Sequence, residues 1–416
     1  MHKNNRVLVV SAMPIASLFI GQSAVAQESE TAFEPVIVTA QKREQSIYDV
    51  PVAISAFSAA TIEKQGIADL TDIGKFVPNL NVTGFSAGHT ASANPFIRGI
   101  GLQDHLITTD PGVGVYVDGI YLGRQVGQNW SLANIERVEV LRGPQGTLYG
   151  RNSIGGAINI ITRKPGDEDG GRVSLAAGSR GRLNADFYTN MTFSDQLAVS
   201  LTGAYQHRDG LGKFLMLENP RKEVGEVEDV SARVALLWSP NERLSFLLTA
   251  DRNEGDNGLR PYDTLIDELP NGAVFAAGYR NSDTSASSYN NNTGQESQIA
   301  VTNQAEGISL TVDFQVSDDM AAKLLLSDRD SDYRAGLDDD GFFDDFLSFP
   351  ETGFADQQSA ELQFTGKYGA WDYVAGLYWF TEDGKNVQDP TIFLGDPGDF
   401  LLEQDIESKA IYANVG

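Results

Sequence analysis

The side chains most often used for catalysis and metal binding are few in this chain and lie far apart. The four histidines are His2, His89, His105 and His207, and none has a second histidine four residues away. Zinc sites are built from spaced histidine, cysteine and carboxylate ligands, and the chain has no cysteine. No grouping of nucleophile and base emerges from these histidines. The sequence therefore predicts no enzyme, no metal site and no cofactor.

The charge of the chain excludes one broad class of partner. The chain has 31 basic and 57 acidic residues, which gives a formal net charge of −26. Binding to a phosphate backbone needs clustered lysine and arginine, and no basic stripe occurs here. A nucleic-acid partner is therefore not expected. Nor is a dinucleotide, because Gly99-x-Gly101 and Gly112-x-Gly114 lack the third glycine and the following helix of that fingerprint.

The first residues predict export. Lys3 and Arg6 precede an apolar run from Val7 to Ile20, and an Ala24-Val25-Ala26 sequence follows it. A basic start, a short apolar segment and an A-x-A site together are typical of a cleaved secretory signal. We expect residues 1–26 to be this signal peptide.

Residues 27–43, which we call the leader, are polar and are expected to be mobile. They contain one apolar island, Pro35-Val36-Ile37-Val38-Thr39-Ala40. A proline followed by β-branched residues favours an extended strand over a helix. The local sequence leaves two alternatives open for this strand. It is either an unpaired edge that adds to the sheet of another protein, or the first strand of the next domain.

Residues 44–165 have the pattern of a compact module with helices and strands. A helix is predicted from Thr61 to Phe76, ended by Pro78. Val113 to Tyr121 predicts a hairpin, because Asp118-Gly119 is a favoured two-residue turn. Two further strands are predicted at Ile135–Leu141 and from Gly155 to Thr162.

Residues 166–416 predict a membrane-spanning antiparallel β-barrel. About ten strands alternate short turns with long loops, which is typical of membrane barrels. A soluble β-sandwich or solenoid is the competing interpretation. Aromatic residues near strand ends fit interfacial girdles: Tyr188, Tyr205, Trp238, Trp371, Tyr378 and Trp379. The short turns are predicted at Ser194-Asp195, Ser239–Glu242, Ser317–Asp319 and Lys367–Gly369.

The strand count and the size of the preceding module do not match. A barrel that houses more than a hundred residues needs about 22 strands, and barrel edges must close in lipid. We therefore expect residues 166–416 to be the N-terminal part of a truncated barrel, with the final strand beginning after about residue 404.

At this point the chain resembles the TonB-dependent outer-membrane receptors. The leader sequence EPVIVTA at 34–40 is similar to the TonB box of that family, and residues 41–57 to the start of its plug domain. The plug motifs match in order: VPNL at 77–80, FIRGIG at 96–101, VYVDG at 115–119 and IERVEVLRGPQGTLYGRNSIGGAINIITRKP at 135–165. The resemblance covers residues 34–165 by motif, and the remainder only by its strand rhythm.

This resemblance implies an α+β plug inside a transmembrane antiparallel β-barrel of the bacterial outer membrane. It implies that TonB, driven by its inner-membrane motor complex, captures Pro35 to Ala40, above all Val36, Ile37 and Val38, by strand addition. We expect Arg98, Arg142 and Arg151 to pair with acidic residues of the barrel lumen. Tight turns and close backbone approach are expected at five glycines: Gly143, Gly146, Gly150, Gly155 and Gly156. The plug residues carried over are Arg98, Gly99, Asp118, Gly119, Glu136, Arg142, Gly143, Pro144, Gly150, Arg151, Gly155 and Gly156.

The implied function is active import of a scarce small-molecule ligand, with a ferric siderophore or another iron complex as the default. Cobalamin, haem and oligosaccharides are alternatives by the same mechanism, and a passive porin or adhesin is an alternative of another class. A signalling receptor is not favoured, because only residues 27–33 separate the predicted cleavage site from the box. The acidic segment from Asp338 to Asp345 predicts a solvated outer loop, with calcium binding as its alternative. Substrate-contacting residues are not predicted.

Overall fold

A computed structural model describes residues 37–67, 69–84, 92–126, 128, 134–167, 169–259, 291, 293–295, 299–336, 347–393 and 396–416. The predicted signal peptide, Pro35, Val36 and the acidic segment 338–345 lie outside these residues. Within them, the chain forms an N-terminal part, which we call the plug, and a large antiparallel sheet, which we call the barrel sheet.

The plug is built on a five-stranded mixed sheet and two short two-stranded ladders. Its strands are β1 (Ile37–Val38), β2 (Gln45–Ser46), β3 (Ala53–Ser58), β4 (Leu80–Thr83), β5 (Asn94–Ile97), β6 (Val113–Val117), β7 (Ile120–Leu122), β8 (Ile135–Arg142) and β9 (Gly156–Thr162). The order in the main sheet is β3-β8-β9-β6-β7. β3 and β7 are therefore the two edges of this sheet.

The centre of the plug sheet is apolar on both faces. β6 pairs parallel with β9, and all five of its residues are buried. Strands that are covered on both faces have continuous runs of apolar residues instead of alternating apolar and polar residues. The mostly apolar sequences of β6 and β9 have this cause. Ile73 of the helical segment packs into this core with Val138 and Ile158.

The predicted helix from Thr61 to Phe76 is wrong in its continuity, because the chain forms two short helices instead. These are α1 (Ala59–Gln65) and α2 (Leu70–Ile73). Ser58 caps α1, and Gly66 ends it with φ of +66°, a conformation that glycine adopts without strain. Asp69 then starts α2 by accepting a hydrogen bond from the Asp72 amide at 3.1 Å.

The predicted hairpin is confirmed. β6 and β7 pair antiparallel from Val115 to Leu122. Asp118 and Gly119 lie between the two strands with φ of +51° and +87°, the left-handed values that a type I′ turn requires at both positions.

The barrel sheet has eleven strands, and all of its pairings are antiparallel. They are β10 (Gly170–Ala177), β11 (Leu183–Ser194), β12 (Leu197–Arg208), β13 (Val227–Asn241), β14 (Leu244–Gly258), β15 (Ala300–Ser317), β16 (Met320–Ala335), β17 (Leu347–Ser348), β18 (Glu351–Tyr368), β19 (Trp371–Phe393) and β20 (Asp396–Val415). Ten of the eleven have eight or more residues, in agreement with the predicted count. The final strand begins at Asp396, earlier than predicted.

The outward face of the barrel sheet exposes large apolar side chains. Leu236, Leu248, Ile308, Leu326 and Leu377 are all exposed. A soluble sandwich buries such side chains, whereas a sheet that faces lipid presents them outward. The alternation therefore fits a membrane barrel. Neither α1 nor α2 is long and apolar enough to cross a membrane.

The prediction of an interfacial girdle is wrong for two of the aromatic residues, because their side chains point into the barrel. Tyr188 points toward the plug, where the Arg163 guanidinium lies 5.4 Å from its ring centre. Tyr378 likewise packs against the buried cluster that contains Phe380. Trp238 is exposed near the short turn after β13 and stacks on Phe246 at 5.2 Å, as a girdle residue would. A position near the end of a strand does not show which face of the sheet the side chain lies on. Successive residues point to opposite faces, so a shift of one residue reverses the direction.

A row of carboxylates crosses five neighbouring strands on the outward face. Glu306 lies directly opposite Asp330, Asp330 opposite Asp356, Asp356 opposite Asp383, and Asp383 opposite Asp405. Directly opposed side chains have their Cβ atoms about 5 Å apart, and like charges at that separation destabilise a sheet. The row therefore opposes the pairing of these strands.

We expect Asp356→Lys to stabilise the barrel sheet by about 1 kcal/mol, because two like-charge pairs become opposite-charge pairs. The measurement is the thermal unfolding temperature of the purified protein at low and at high salt. The gain should shrink at high salt, since exposed charges are screened. Thr352→Lys is the control, because it places a lysine opposite Arg334. An equal gain in the control would contradict the prediction.

Candidate functional site

The end of the leader is docked on the plug rather than free. β1 pairs antiparallel with β2, which joins Ile37 to Ser46 and Val38 to Gln45. Val38 and Ala40 are 0% and 1% exposed, whereas Ile37 is 43% exposed. The expectation of mobility is therefore wrong for residues 37–43. The reason is that the apolar side chains of the island have an apolar cluster to pack against.

That cluster joins the leader to the plug and to the barrel sheet. Val38 and Ala40 belong to one buried group with Leu141 of β8, Tyr121 of β7 and Phe380 of β19. A displacement of the leader therefore exposes apolar surface on all three parts. The docking is stabilised mainly by the removal of this surface from water.

A buried carboxylate fixes the backbone of the leader. Glu139 of β8 is 0% exposed. Its Oε1 atom accepts hydrogen bonds from the Thr39 amide at 2.8 Å, the Thr39 hydroxyl at 3.1 Å and Nε of Arg137 at 2.8 Å. Its Oε2 atom is buried without a hydrogen-bond partner. A buried carboxylate needs such donors, so Glu139 and the docked leader stabilise one another.

A second polar contact ties the leader to the barrel. Lys42 forms an ion pair with Glu361 of β18, and the Tyr412 hydroxyl of β20 donates to the same carboxylate at 2.6 Å. Burial lowers the pKa of Lys42, because the loss of hydration outweighs the attraction of Glu361. Separation of this pair would return both charged groups to water, and this hydration offsets much of the lost attraction. The contact therefore fixes the position of the leader on the barrel without strongly stabilising it.

The upper part of the plug is held by β18 and β19. His105 contacts the Glu351 carboxylate of β18, and both side chains are buried. The Ile107 amide donates to Oδ1 of Asn386 on β19 at 2.5 Å. The Ile107 side chain lies over Gly384, where an added Cβ would come within 2.0 Å of it.

The segment just after β7 is bound by the same two strands. Gln357 of β18 accepts from the Gly123 amide at 2.8 Å and donates to the Tyr121 carbonyl at 2.7 Å. Arg124 forms an ion pair with Glu382 of β19, and both side chains are largely buried. The inner faces of β18 and β19 therefore bind the plug from the leader to its upper loop.

Removal of one member of the Arg124–Glu382 pair should be costly. Arg124→Ala leaves a buried carboxylate without its cation, and such a change destabilises by about 3–5 kcal/mol. The measurement is the urea dependence of plug unfolding. The double variant Arg124→Ala with Glu382→Leu should recover most of the loss, because the unpaired charge is gone. A double variant as unstable as the single one would refute this account.

Most of the predicted site residues belong to one of two groups, namely residues of tight turns and arginines of the plug. Asp118 accepts from the Thr162 amide and hydroxyl, both at 2.8 Å, and pairs with Arg233 of β13 at 2.5 Å. It therefore seats the plug on the barrel as well as forming the turn. Gly156 needs the absence of a side chain, because a Cβ there would lie 2.1 Å from the Leu141 carbonyl oxygen. Gly99, Gly143 and Gly150 also have positive φ.

The structure places the predicted arginines within the plug. Arg142 donates to the Pro78 carbonyl at 3.4 Å, and Arg98 lies beside Gly143. Arg151 pairs with Asp110 of the plug at 2.7 Å, and its guanidinium lies 5.3 Å from the Phe380 ring centre on the barrel. The pairing of these arginines with barrel carboxylates stays a prediction.

The remaining predicted residues have local surroundings. Glu136 is an exposed partner of Arg137. Pro144 and Gly155 lie in the loop between β8 and β9, where Gly155 makes backbone hydrogen bonds with Gly112 and Gly143.

Three functional residues escaped the sequence analysis, namely Glu139, Lys42 and Arg124. Alternation in β8 places Arg137, Glu139 and Leu141 on one face. The sequence therefore contains a signal for Glu139, namely a carboxylate between a cation and a leucine on one face of a strand. Its partner, Thr39, lies a hundred residues away. No local pattern shows that contact, nor the contacts of Lys42 and Arg124 with barrel strands more than two hundred residues later.

No metal centre or catalytic motif emerges from the part of the chain that the structure describes. Within it, no group of three or more His, Asp or Glu side chains could hold a metal ion. A Gly-x-Ser-x-Gly sequence does occur at Gly84–Gly88. A nucleophile elbow needs a following helix, whereas the next described element is the strand β5, and residues 85–91 lie outside the description.

Comparison with known proteins identifies this architecture. Residues 46–157 match the family described as TonB-dependent Receptor Plug Domain. The ferric yersiniabactin uptake receptor of Yersinia pestis has the same fold, with a TM-score of 0.72 and 20% identity over 88% of this chain and 54% of that one. Residues 46–157 are a TonB-dependent receptor plug domain, and the strands after them have the fold of the receptor barrels.

Three further proteins are similar to this chain. The iron-regulated outer membrane virulence protein of Vibrio cholerae is 35% identical over 210 residues, which are 48% of this chain and 32% of that protein. The vitamin B12 transporter of Vibrio vulnificus is 34% identical over 204 residues, again 48% and 32%. The ferripyoverdine receptor of the outer membrane of Pseudomonas aeruginosa has a TM-score of 0.72 at 18% identity, with 93% of this chain and 52% of that chain covered.

The chain spans about half the length of the receptors with solved structures that it resembles. The part covered consists of the plug domain and the barrel strands that follow it. The barrel sheet corresponds to part of a complete receptor barrel.

Proposed function

We propose that this receptor imports a scarce ligand across the bacterial outer membrane with energy supplied by TonB. The observation that carries the proposal is the position of the leader. Its apolar island is stored against the plug at Val38 and Ala40, beside a plug that is itself held on the barrel by polar contacts. An element stored in this way is suited to be drawn out by a partner on the periplasmic side.

TonB is the proposed partner at Val36, Ile37 and Val38. Capture by strand addition uses backbone hydrogen bonds, and it needs an extended segment with a free edge. Because the Thr39 amide and the Val38 side chain are engaged by the plug, the leader must first undock. Binding of ligand on the outer side is the proposed signal for this release, and the chain itself has no enzymatic role.

A ferric siderophore, or another iron complex, is the proposed ligand. The relative from Vibrio cholerae is named for iron regulation, and the fold is shared with receptors for ferric siderophores. Cobalamin is the second candidate, because the vitamin B12 transporter of Vibrio vulnificus is about equally similar. Haem and oligosaccharides are further alternatives by the same mechanism, and passive passage is an outcome of the test.

The test is uptake by cells that lack their own receptors and express this protein. Radiolabelled iron chelates of the catecholate, hydroxamate and citrate types are compared with radiolabelled cyanocobalamin, each with and without TonB. We expect uptake of one iron chelate, lost in the strain without TonB. Uptake that persists without TonB would overturn the proposal in favour of a passive pore. Uptake of cyanocobalamin alone would replace the ligand and leave the mechanism intact.

A further inference from the structure

A cavity of about 270 Å³ lies between α1 and the inner faces of β10 and β11. Its charged lining consists of three arginines and two carboxylates, namely Arg163, Arg172, Arg182, Glu63 and Asp186. The whole chain has the opposite balance, because its 57 acidic residues outnumber its 31 basic residues. The charge balance of the chain is therefore reversed in this cavity.

The two carboxylates do not neutralise the three arginines. Glu63 pairs with Arg172 at 2.6 Å, and these side chains are 59% and 45% exposed, so water screens the pair. Arg163 and Arg182 form no ion pair with a carboxylate in the part of the chain that the structure describes. Among the lining residues, Asp186 alone remains to offset these two cations, which leaves the lining positive.

Arg163 is the lining residue whose surroundings point most directly to a ligand. It follows β9, and its backbone amide donates to the Asn134 carbonyl at 3.1 Å, which fixes its position. Its guanidinium lies 5.4 Å from the ring centre of Tyr188, and its Nε atom is buried without a hydrogen-bond partner. Buried donors without a partner are rare in proteins. A guanidinium that is held on an aromatic ring presents a planar set of donors that matches a carboxylate.

Tyr188 brings a second arginine to the same place. Arg172 of β10 lies directly opposite Tyr188 of β11, and Arg163 lies over the ring of the same tyrosine. Both cations are therefore next to one phenol side chain, whose hydroxyl is a further donor. Two guanidinium groups and a hydroxyl are suited to bind the oxygens of one carboxylate.

The cavity extends from these two arginines toward the outer end of the barrel sheet. Asn184, Asp186 and Tyr188 are alternate residues of β11 that line it, and Arg182 directly precedes this strand. The distance from Arg182 to Tyr188 is about 20 Å along an extended strand. The volume of the cavity lies just below the range of about 300–1,000 Å³ for small-molecule sites. The cavity therefore accommodates a small anion or one anionic arm of a larger ligand.

We propose that this cavity binds a carboxylate of the imported ligand, with Arg163 and Arg172 beside Tyr188 as its binding residues. The inference rests on the proposed function for the source of the carboxylate, because it takes the ligand to be the compound that the receptor imports. It narrows the ligand class to chelates that present free carboxylates, and it disfavours a neutral ligand. The anion site itself depends only on the cavity and its lining.

Citrate is the probe for this site, because it is a small polycarboxylate. Its binding to the purified receptor is measured by titration calorimetry at low salt, without TonB. We expect Arg163→Gln and Arg172→Gln each to weaken this binding by about tenfold or more, because charge-assisted hydrogen bonds to the carboxylate are lost. Arg243→Gln is the control and should leave the affinity unchanged, since it removes the same charge from the exposed turn after β13. Trimethyl citrate, a neutral ester, should not bind. Absence of citrate binding, equal binding of the ester, or an equal loss in the control would overturn the proposal.

A second pair of variants keeps every arginine. Ala176 of β10 lines the cavity, whereas Ala177 lies opposite Leu183 on the outward face of the sheet. Ala176→Phe fills the cavity and should abolish citrate binding, and Ala177→Phe should leave it unchanged. Equal binding by the two variants would place the citrate elsewhere and overturn the proposal.

Uptake separates this inference from the proposed function. At ligand concentrations below saturation, Arg163→Gln should lower uptake of the labelled compound that the unmodified receptor imports by about tenfold, while Arg243→Gln leaves it unchanged. Equal uptake by the two variants would overturn the inference although import itself is confirmed. A receptor without uptake in any form would refute the proposed function, and citrate binding would still decide whether the cavity is an anion site.

Discussion

Glu139→Ala is expected to release the leader in the absence of any ligand. The variant removes the acceptor for the Thr39 amide, the Thr39 hydroxyl and Arg137. Loss of such a buried acceptor costs about 1–3 kcal/mol, and the docked leader carries most of that cost. A partner that binds only the released leader then binds more tightly, because less of its binding energy is spent on undocking.

The measurement is the affinity of the periplasmic domain of TonB for the purified receptor without ligand. We expect about a tenfold gain or more for Glu139→Ala. Glu139→Gln should show a smaller gain, since its amide oxygen still accepts from Thr39. Glu136→Ala is the matched control, because Glu136 is an exposed partner of the same arginine on the other face of β8. A gain in the control as large as at position 139 would show a general loosening of the plug instead.

Ile37→Pro is expected to produce the opposite effect, a loss of coupling to TonB. Proline has no amide hydrogen and cannot donate to a neighbouring strand. If TonB binds residues 36–38 by strand addition, the missing hydrogen bond costs about 1–3 kcal/mol, which is about a tenfold to hundredfold loss of affinity. Uptake should fall in parallel, while ligand binding at the cell surface stays unchanged.

The control for this change is Ile37→Ala, which keeps the backbone donor and removes only a half-exposed side chain. It should retain most of the TonB affinity. Equal losses in the alanine and proline variants would place the recognition in the side chain and contradict strand addition. Normal uptake with Ile37→Pro would remove the leader from the mechanism.

The local elements were predictable where short-range chemistry determines them. Asp118-Gly119 specifies its hairpin, because few residue pairs accept two consecutive positive φ values. Among the short turns of the barrel sheet, the one at Gly369 also contains a positive φ, of +63°. The break at Gly66 was missed, because apolar periodicity continues across it and periodicity does not register a change of direction. Alternation of apolar and polar residues does not show that β19 extends to Phe393, because the half of this strand after Phe380 is polar.

The positions of the functional side chains were not predictable in the same way. Arg151 and Arg142 stand in the most specific motif of the sequence, yet the contacts described for them lie largely within the plug. Lys42 and Arg124, which the sequence analysis did not single out, make buried ion pairs with the barrel. Charge and spacing show that an arginine needs a partner, but not which carboxylate the fold brings to it.

The sequence by itself determined that this chain consists of a plug followed by barrel strands, because strand periodicity, turn chemistry and an ordered set of motifs are properties of neighbouring residues. Only the tertiary structure decided that Val38 lies in one buried cluster with Phe380, that Glu139 holds Thr39, and that β18 and β19 bind the segments beside β7. These contacts join residues a hundred or more positions apart. Their partners are selected by the pairing of whole strands and by burial, which no local segment specifies.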